Sequence, residues 1–400
     1  MKKGKTILFL ICQPLDQRNF DRFGIQIWRE NGWLVEIIDM TPLLYPKVWK
    51  SFLSSDNKVI NDNSYHLIYS ESQLKTLINN SKYNVFIDLV GNFKISYLKL
   101  KLKLFRRNLY CITVNIGSMP LPIVQNKSSI FNFIKLIRKF STTITSIFEY
   151  LRYLFFSIKF QKYLNNSFVA VAGRITYQSS LINFKSDKNI IKTHNLDYDR
   201  YLTNKFEPLF DKKKYIVFLD EDMPYHSDFI YTKTKPPVTP ESYFPTMNRG
   251  LKIISDHVNS EVIIAAHPRS NYLGNKVESY GNSKIFINKT LELVRNCQGV
   301  VCHSSASIQL AVLFNKPVIF VTTDELKSSF YNEYIEAFAN SLGKIPLNLD
   351  EDLSTVNWND KFFIDSQKYK DYISDYIKCP ESPDLPVMQI ICNFITKQCQ

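Results

Sequence analysis

Short, nearly uninterrupted apolar runs recur along this chain, and stretches of helical periodicity separate them. The runs "KTILFLICQ" (5–13), "WLVEIIDMT" (33–41), "YNVFIDLVG" (83–91), "LYCITVNIG" (109–117) and "SFVAVAG" (167–173) do not alternate between apolar and polar residues. A strand with one wet face alternates, whereas a strand apolar throughout is covered on both sides, the condition of a parallel sheet between two layers of helices. "KNIIKTHN" (188–195) extends the series, and "RNFDRFGIQIWRENG" (18–32), ended by Gly32, reads as the first intervening helix. The pattern predicts a doubly wound α/β domain.

The series then restarts. "KYIVFLDED" (214–222), "EVIIAAHP" (261–268), "GVVCHSS" (299–305) and "KPVIFVTT" (316–323) read as strands. Helical stretches at 240–260, 288–297 and 306–315 lie between them. At 400 residues the chain exceeds the size at which one core stops growing, so two domains are expected. We place the first at 1–205 and the second at 212–345, joined by the polar stretch "TNKFEPLFDKKK" (203–214), with a more polar helical tail at 346–400.

Hydrophobic content of 45% and aromatic content of 14% exclude a disordered chain. The net charge of +13 calls for an anionic partner: nucleic acid, anionic lipid or a phosphorylated substrate. Neither a zinc-finger spacing nor an RNP-type aromatic pattern occurs, so nucleic acid is not the expected partner. Seven cysteines without a CxxC pair or metal-ligand spacing read as reduced, mostly buried thiols, and no metal site is expected. The start "MKKGKTILFLICQPLDQ" has a basic end and an apolar run but no small-residue cleavage site, so it reads as a first strand and the expected location is the cytoplasm.

Residues 127–164 carry seven Lys or Arg and a single acid, Glu149, too many charges for a membrane-spanning helix. Ile130, Phe133, Ile134, Ile137 and Phe140 fall at helical spacing with Lys135, Arg138 and Lys139 between them. Such a basic amphipathic stretch suits an anionic membrane surface, and it equally suits a helix or helical hairpin packed on the domain with a solvated basic face. The preceding "LKLKLKLFRRN" (98–108) favours the membrane surface, hence a peripheral place on the inner face of the cytoplasmic membrane.

Neither a GxGxxG nor a Walker A sequence is present, so an anion must be held by other means. Three polar clusters fall at the carboxyl ends of strands in the second series, where open α/β sheets bind ligands: "DEDMPYHSD" (220–228), "HPRSN" (267–271) and "CHSSAS" (302–307). In the last, a strand gives way to a helix, and free main-chain N–H groups can converge on a phosphate with the hydroxyls of Ser304, Ser305 and Ser307. Helix capping alone would need only one of these serines. His303 is open to a second reading, as a satisfied core residue. His267 at a strand end can neutralise charge on a leaving phosphate, with Pro268 fixing the exit of the chain and Arg269 adding donors. Asp220, Glu221 and Asp222 offer a general base whose pKa neighbouring carboxylates would raise, and His226 and Asp228 follow as substrate contacts. "DED" satisfies a metal-binding spacing only weakly.

These residues carry a resemblance. The two Rossmann-like halves resemble the GT-B glycosyltransferase fold, in which the nucleotide sugar binds mainly the C-terminal half, the acceptor approaches the N-terminal half, and the active site lies in the cleft between them. "HPRS" and "HSSASIQLAVLFNKPVIFV" are similar to the HP and serine motifs of bacterial sialyltransferases and CMP-Kdo capsule transferases, and "LDED" is similar to their acidic motif. The specific likeness covers about 214–330. It implies metal-independent, inverting transfer of an acidic keto sugar from a CMP-sugar to a hydroxyl of a glycan or lipid-linked glycan, without a cofactor. His267 would assist CMP departure, Ser304 and Ser305 would bind the phosphate, and Asp222 or Glu221 would be the base. Met223 stands where the acidic motif has glycine. The HP and serine pairing is similar as well to CDP-glycerol polyol-phosphate transferases, whose serine motif carries an aspartate where Cys302-His303 stand here. Non-hydrolysing UDP-sugar 2-epimerases share the fold and would need further acidic and histidine residues. A non-catalytic member of a polysaccharide assembly is the remaining reading.

Overall fold

The computed structural model describes residues 5–54, 58–80, 82–90, 95–122, 155, 161–184, 186–203, 209–210, 214–226, 229, 234–270, 272 and 279–399. They form two compact units. The first runs through Leu196 and takes back the chain from Glu381 onward; the second runs from Asp197 to Pro380 and includes the loop that begins at Gly117. This corrects the boundaries read from the sequence. The segment 346–400 is not one tail: its first part completes the second unit and its last part belongs to the first.

The first unit is built on a parallel sheet of β1 (Lys5–Ile11), β2 (Trp33–Asp39), β3 (Tyr65–Leu67), β4 (Val85–Asp88), β5 (Tyr110–Asn115), β6 (Ser167–Ala172) and β7 (Ile190–Thr193), in the order β3-β2-β1-β4-β5-β6-β7. Alternate residues of β1 feed opposite cores, which explains its unbroken apolar run. Ile7, Phe9 and Ile11 pack with Trp28 and Trp33, while Leu8 and Leu10 pack with Leu44, Phe86 and Leu104.

The helix expected over 18–32 is two short helices, Gln17–Arg22 and Ile25–Glu30. The break falls at Gly24, whose φ of 60° is costly for a residue with a side chain. A Cβ there would lie 2.6 Å from Cβ of Met388, on the C-terminal helix Val387–Gln398. That helix buries Val387, Ile391 and Ile395 against Trp28 and Trp33, so it is part of the first core.

"LKLKLKLF" folds as the helix Ile95–Phe105, with Leu98, Leu100, Leu104 and Phe105 buried and Lys101 paired at 2.6 Å with the buried Asp88. Its apolar side is spent inside the unit, which removes the support it gave to a membrane role. The proposed insert at 127–164 lies almost wholly outside the described residues. Among the described residues no helix is long and apolar enough to cross a membrane. None of the seven cysteines, all of them among the described residues, is in a disulfide; Cys111, Cys297, Cys302, Cys379 and Cys392 are buried.

The second unit has a parallel sheet of β8 (Tyr215–Leu219), β9 (Glu261–Ala266), β10 (Lys284–Ile287), β11 (Val300–Cys302), β12 (Val318–Thr322) and β13 (Leu347–Asn348), ordered β10-β9-β8-β11-β12-β13. Its two faces are again both covered. Val217 and Leu219 enter one core with Leu310 and Phe338, and Ile216 and Phe218 enter the other with Tyr243 and Met247. The long helix Pro240–Val258 returns the chain from β8 to β9 and ends at Asn259 in the left-handed region.

Candidate functional site

Strand order fixes where a ligand can sit in the second unit. The chain winds from β8 outward through β9 and β10, then returns to the other side of β8 with β11 and continues outward. The crevice at the carboxyl ends of β8 and β11 is the switch point of such a sheet. Asp220–Asp222 leave β8 there, His303–Ser307 leave β11, and His267 leaves the neighbouring β9. The three clusters read from the sequence are therefore adjacent, with the acidic run in the middle.

Asp220 and Glu221 point to opposite neighbours, as consecutive residues at a strand end must. Asp220, 4% exposed, accepts the Tyr280 hydroxyl at 2.7 Å, the Asp222 N–H at 3.1 Å, the Tyr272 hydroxyl at 3.2 Å and the His267 N–H at 3.3 Å. Burial pushes its carboxyl up to about 6 although these donors oppose the shift. Glu221, partly exposed, turns toward β11. It accepts the Ser304 N–H at 2.7 Å, the Tyr331 hydroxyl at 2.9 Å and the Ser304 hydroxyl at 3.3 Å. Desolvation raises it to about 7 against the pull of the same donors. Asp220 thus fixes the HP turn and Glu221 the serine turn.

Asp222 is buried with φ 51°, a left-handed conformation that aspartate tolerates better than most residues. It interacts with the Tyr272 hydroxyl. Met223, the residue in the place of the motif's glycine, is a core side chain packed with Phe244 and Met247.

The HP turn is locally determined. The N–H and the hydroxyl of Ser270 both bond the His267 carbonyl, at 2.9 and 2.8 Å. The Arg269 N–H donates to Nδ1 of His267 at 3.3 Å, so the neutral ring carries its proton on Nε2. Pro268 and Arg269 are exposed. The His226 ring lies 4.6 Å from that of His267, centroid to centroid. Asp228, expected beside it, is outside the described residues.

On the serine side, Ser304 is buried, and Ser305 and Ser307 are partly exposed. The Ser305 hydroxyl accepts the Ser307 N–H at 3.4 Å and the Ser305 carbonyl accepts the Ile308 N–H at 3.1 Å, so this serine organises the turn before the short helix Ile308–Leu313. His303 takes the second of its two readings. Fully buried, it meets the Val321 carbonyl through Nδ1 at 2.7 Å and the Tyr243 hydroxyl through Nε2 at 2.9 Å. Burial lowers it to about 4, so it is neutral.

Tyr272, Tyr280 and Tyr331 belong to this site and were not singled out from the sequence. Each is an aromatic residue in a region read as connection, with nothing in its neighbours to distinguish a hydroxyl aimed at a carboxylate from a core ring. Among the described residues no cluster of three or more His, Cys, Asp or Glu is arranged to hold a metal ion.

No family model matches the sequence. No curated protein matches it either. Solved structures do match along the whole chain. A putative UDP-N-acetylglucosamine 2-epimerase from Listeria monocytogenes superposes with a TM-score of 0.54 at 12% identity, covering 100% of this chain and 97% of that one. The fold is GT-B-like. MnaA of S. aureus, solved with UDP, gives 0.52 at 15% identity over 99% of this chain and 97% of its own. The kitacinnamycin glycotransferase gives 0.51 at 8% identity over 100% of both chains. The likeness is one of fold, shared by a protein described as a putative epimerase and by a glycosyltransferase alike.

Proposed function

We propose that this chain is a nucleotide-sugar glycosyltransferase of surface-polysaccharide assembly, in capsule, O-antigen or lipooligosaccharide, that moves an acidic keto sugar from its CMP derivative to a glycan hydroxyl. The observation that carries the reading is the adjacency of His267 and the serine turn at one switch point, tied together through Asp220 and Glu221. In the proposed step the acceptor oxygen attacks the anomeric carbon and the bond from that carbon to the CMP phosphate oxygen breaks. The Nε2–H of His267 bonds the departing phosphate, and the acceptor proton passes to a carboxylate of the acidic run, Asp222 or Glu221. Ser304, Ser305 and Ser307 hold the phosphate, with Pro268 and Arg269 shaping its other side. His226 contacts the substrate beside His267. No metal and no cofactor enters this scheme.

The charge of +13 supports the reading, because the donor, a polyanionic acceptor and the inner face of the cytoplasmic membrane are all negative. A thermal-shift panel of nucleotides tests it. Stabilisation by CMP or CDP, lost in His267→Ala and Ser305→Ala, is the expected result, and a preference for UDP or GDP would overturn it. A second reading, UDP-sugar epimerisation, draws support from the UDP-N-acetylglucosamine 2-epimerases among the fold neighbours. It would show as interconversion of a UDP-sugar without an acceptor. Release of polyol phosphate from CDP-glycerol, or binding without turnover of any donor, would instead support the transferase of polyol phosphate or the scaffold.

A further inference from the structure

The carboxylate of Glu221 sits on a set of donors that would suit any tetrahedral oxyanion: one main-chain N–H, one serine hydroxyl and one tyrosine hydroxyl. These donors stand at the switch point of the sheet and are the groups that the reading above assigns, in part, to the donor phosphate. Two anions cannot share them, since adjacent like charges in a partly buried site repel strongly. We propose that Glu221 holds the place of the donor phosphate on the serine turn until the donor enters, that it takes up one proton as the donor does so, and that of the two carboxylates named above only Asp222 is then left to receive the acceptor proton. Tyr331 is the positioning residue of this device, because its hydroxyl keeps the carboxylate aimed at Ser304. The inference rests on the serine turn being the phosphate site, as proposed above.

The surroundings of Glu221 favour proton uptake. Its own strand end brings Asp220 and Asp222; β11 brings Cys302 and Ser304; the segment after β12 brings Tyr331; the long helix Pro240–Val258 brings Tyr243. Burial raises the Cys302 thiol and the Tyr243 and Tyr331 hydroxyls, so all three are neutral near pH 7, and Asp220 is the like charge that opposes ionisation of Glu221. Among these described neighbours none is a cation. The Glu221 carboxyl, already raised to about 7, needs only the approach of a phosphate to become protonated at neutral pH. As an acid it then donates to the phosphate, or swings off Ser304 and leaves the N–H to it.

A purely structural clamp between β8 and β11 would not couple to protons, and this separates the two roles. Calorimetric titration of the full chain with CMP, in buffers of different ionisation enthalpy at pH 8, counts the protons taken up. The account expects close to one proton for the wild type and none for Glu221→Gln, and a dissociation constant that rises about tenfold per pH unit above 7 in the wild type alone. The second ionisation of CMP, near pH 6, is common to both proteins and cancels in the comparison. Tyr331→Phe, which keeps the ring, should move the break in the wild-type profile to higher pH. Equal proton counts in wild type and Glu221→Gln would overturn the inference while leaving the CMP reading intact. UDP binding with Glu221-dependent uptake, and no CMP binding, would do the reverse. Failure of every nucleotide to bind either protein would overturn both.

Discussion

The Asp220 carboxylate accepts the main-chain N–H of His267 at 3.3 Å, so the end of β8 sets the turn that leaves β9. The same carboxylate takes two buried tyrosine hydroxyls, and removing it takes that acceptor from both. Asp220→Ala should cost about 3 kcal/mol in urea denaturation. Asp220→Asn, which keeps an acceptor for Tyr280, should cost roughly half of that. Nucleotide affinity should fall in both variants as the His267 turn loosens. A stability change within about 0.5 kcal/mol for the alanine variant would contradict the assignment.

Glu221 makes the stability of the second unit depend on pH in an unusual direction. Its carboxyl is raised from 4.5 to about 7 on folding, so between those values the folded chain binds more protons than the unfolded one. Stability from this group is fully present below pH 4.5 and is lost as pH rises through 7. Asp220, raised to about 6, acts in the same sense. Wild type should therefore lose stability relative to Glu221→Gln as pH rises from about 4.5 to 7, measured by urea midpoints at fixed slope. A difference that does not change with pH would contradict the environment described for Glu221.

His303 has the opposite sign. Its pKa falls from 6.5 to about 4 on folding, so its contribution is present above 6.5 and is lost as pH drops toward 4. His303→Phe keeps an aromatic ring but takes a hydrogen-bond partner from the Tyr243 hydroxyl and the Val321 carbonyl. We expect a loss of about 2 kcal/mol at pH 7 and a shallower acid limb, with nucleotide preference unchanged. An altered nucleotide preference would return His303 to the binding surface.

Gly24 joins the first unit to the C-terminal helix. Alanine there meets both a left-handed backbone and the Met388 side chain at 2.6 Å, and should destabilise the chain by about 2 kcal/mol. Truncation after Pro380 should be more severe, since it uncovers Trp28, Trp33 and the core around them. The expected signature is loss of the near-ultraviolet signal of those tryptophans. A truncated chain with an unchanged unfolding transition would restore the tail to the role read for it from the sequence.

Much of the architecture was legible because β1, β8 and β9 are apolar on both faces, a pattern that only a doubly covered sheet satisfies. The positions of His267, Ser304 and the acidic run at strand ends followed directly from it. What the sequence hid was tertiary. The return of 381–400 to the first unit depends on Val387, Ile391 and Ile395 finding Trp28 and Trp33, and nothing local marks that pairing. "LKLKLKLF" alternates in charge like a surface segment, yet the partner of Lys101 is a buried aspartate on β4. Tyr331 reaches Glu221 from 110 residues away.

The most direct test of the central claim is product analysis with the purified full chain, a panel of CMP-activated keto sugars and glycan acceptors. The account predicts acceptor-dependent CMP release, a product of inverted anomeric configuration, and a fall of about 10²-fold or more in turnover for His267→Ala. Interconversion of a UDP-sugar without an acceptor, with no CMP released from any donor, would contradict it.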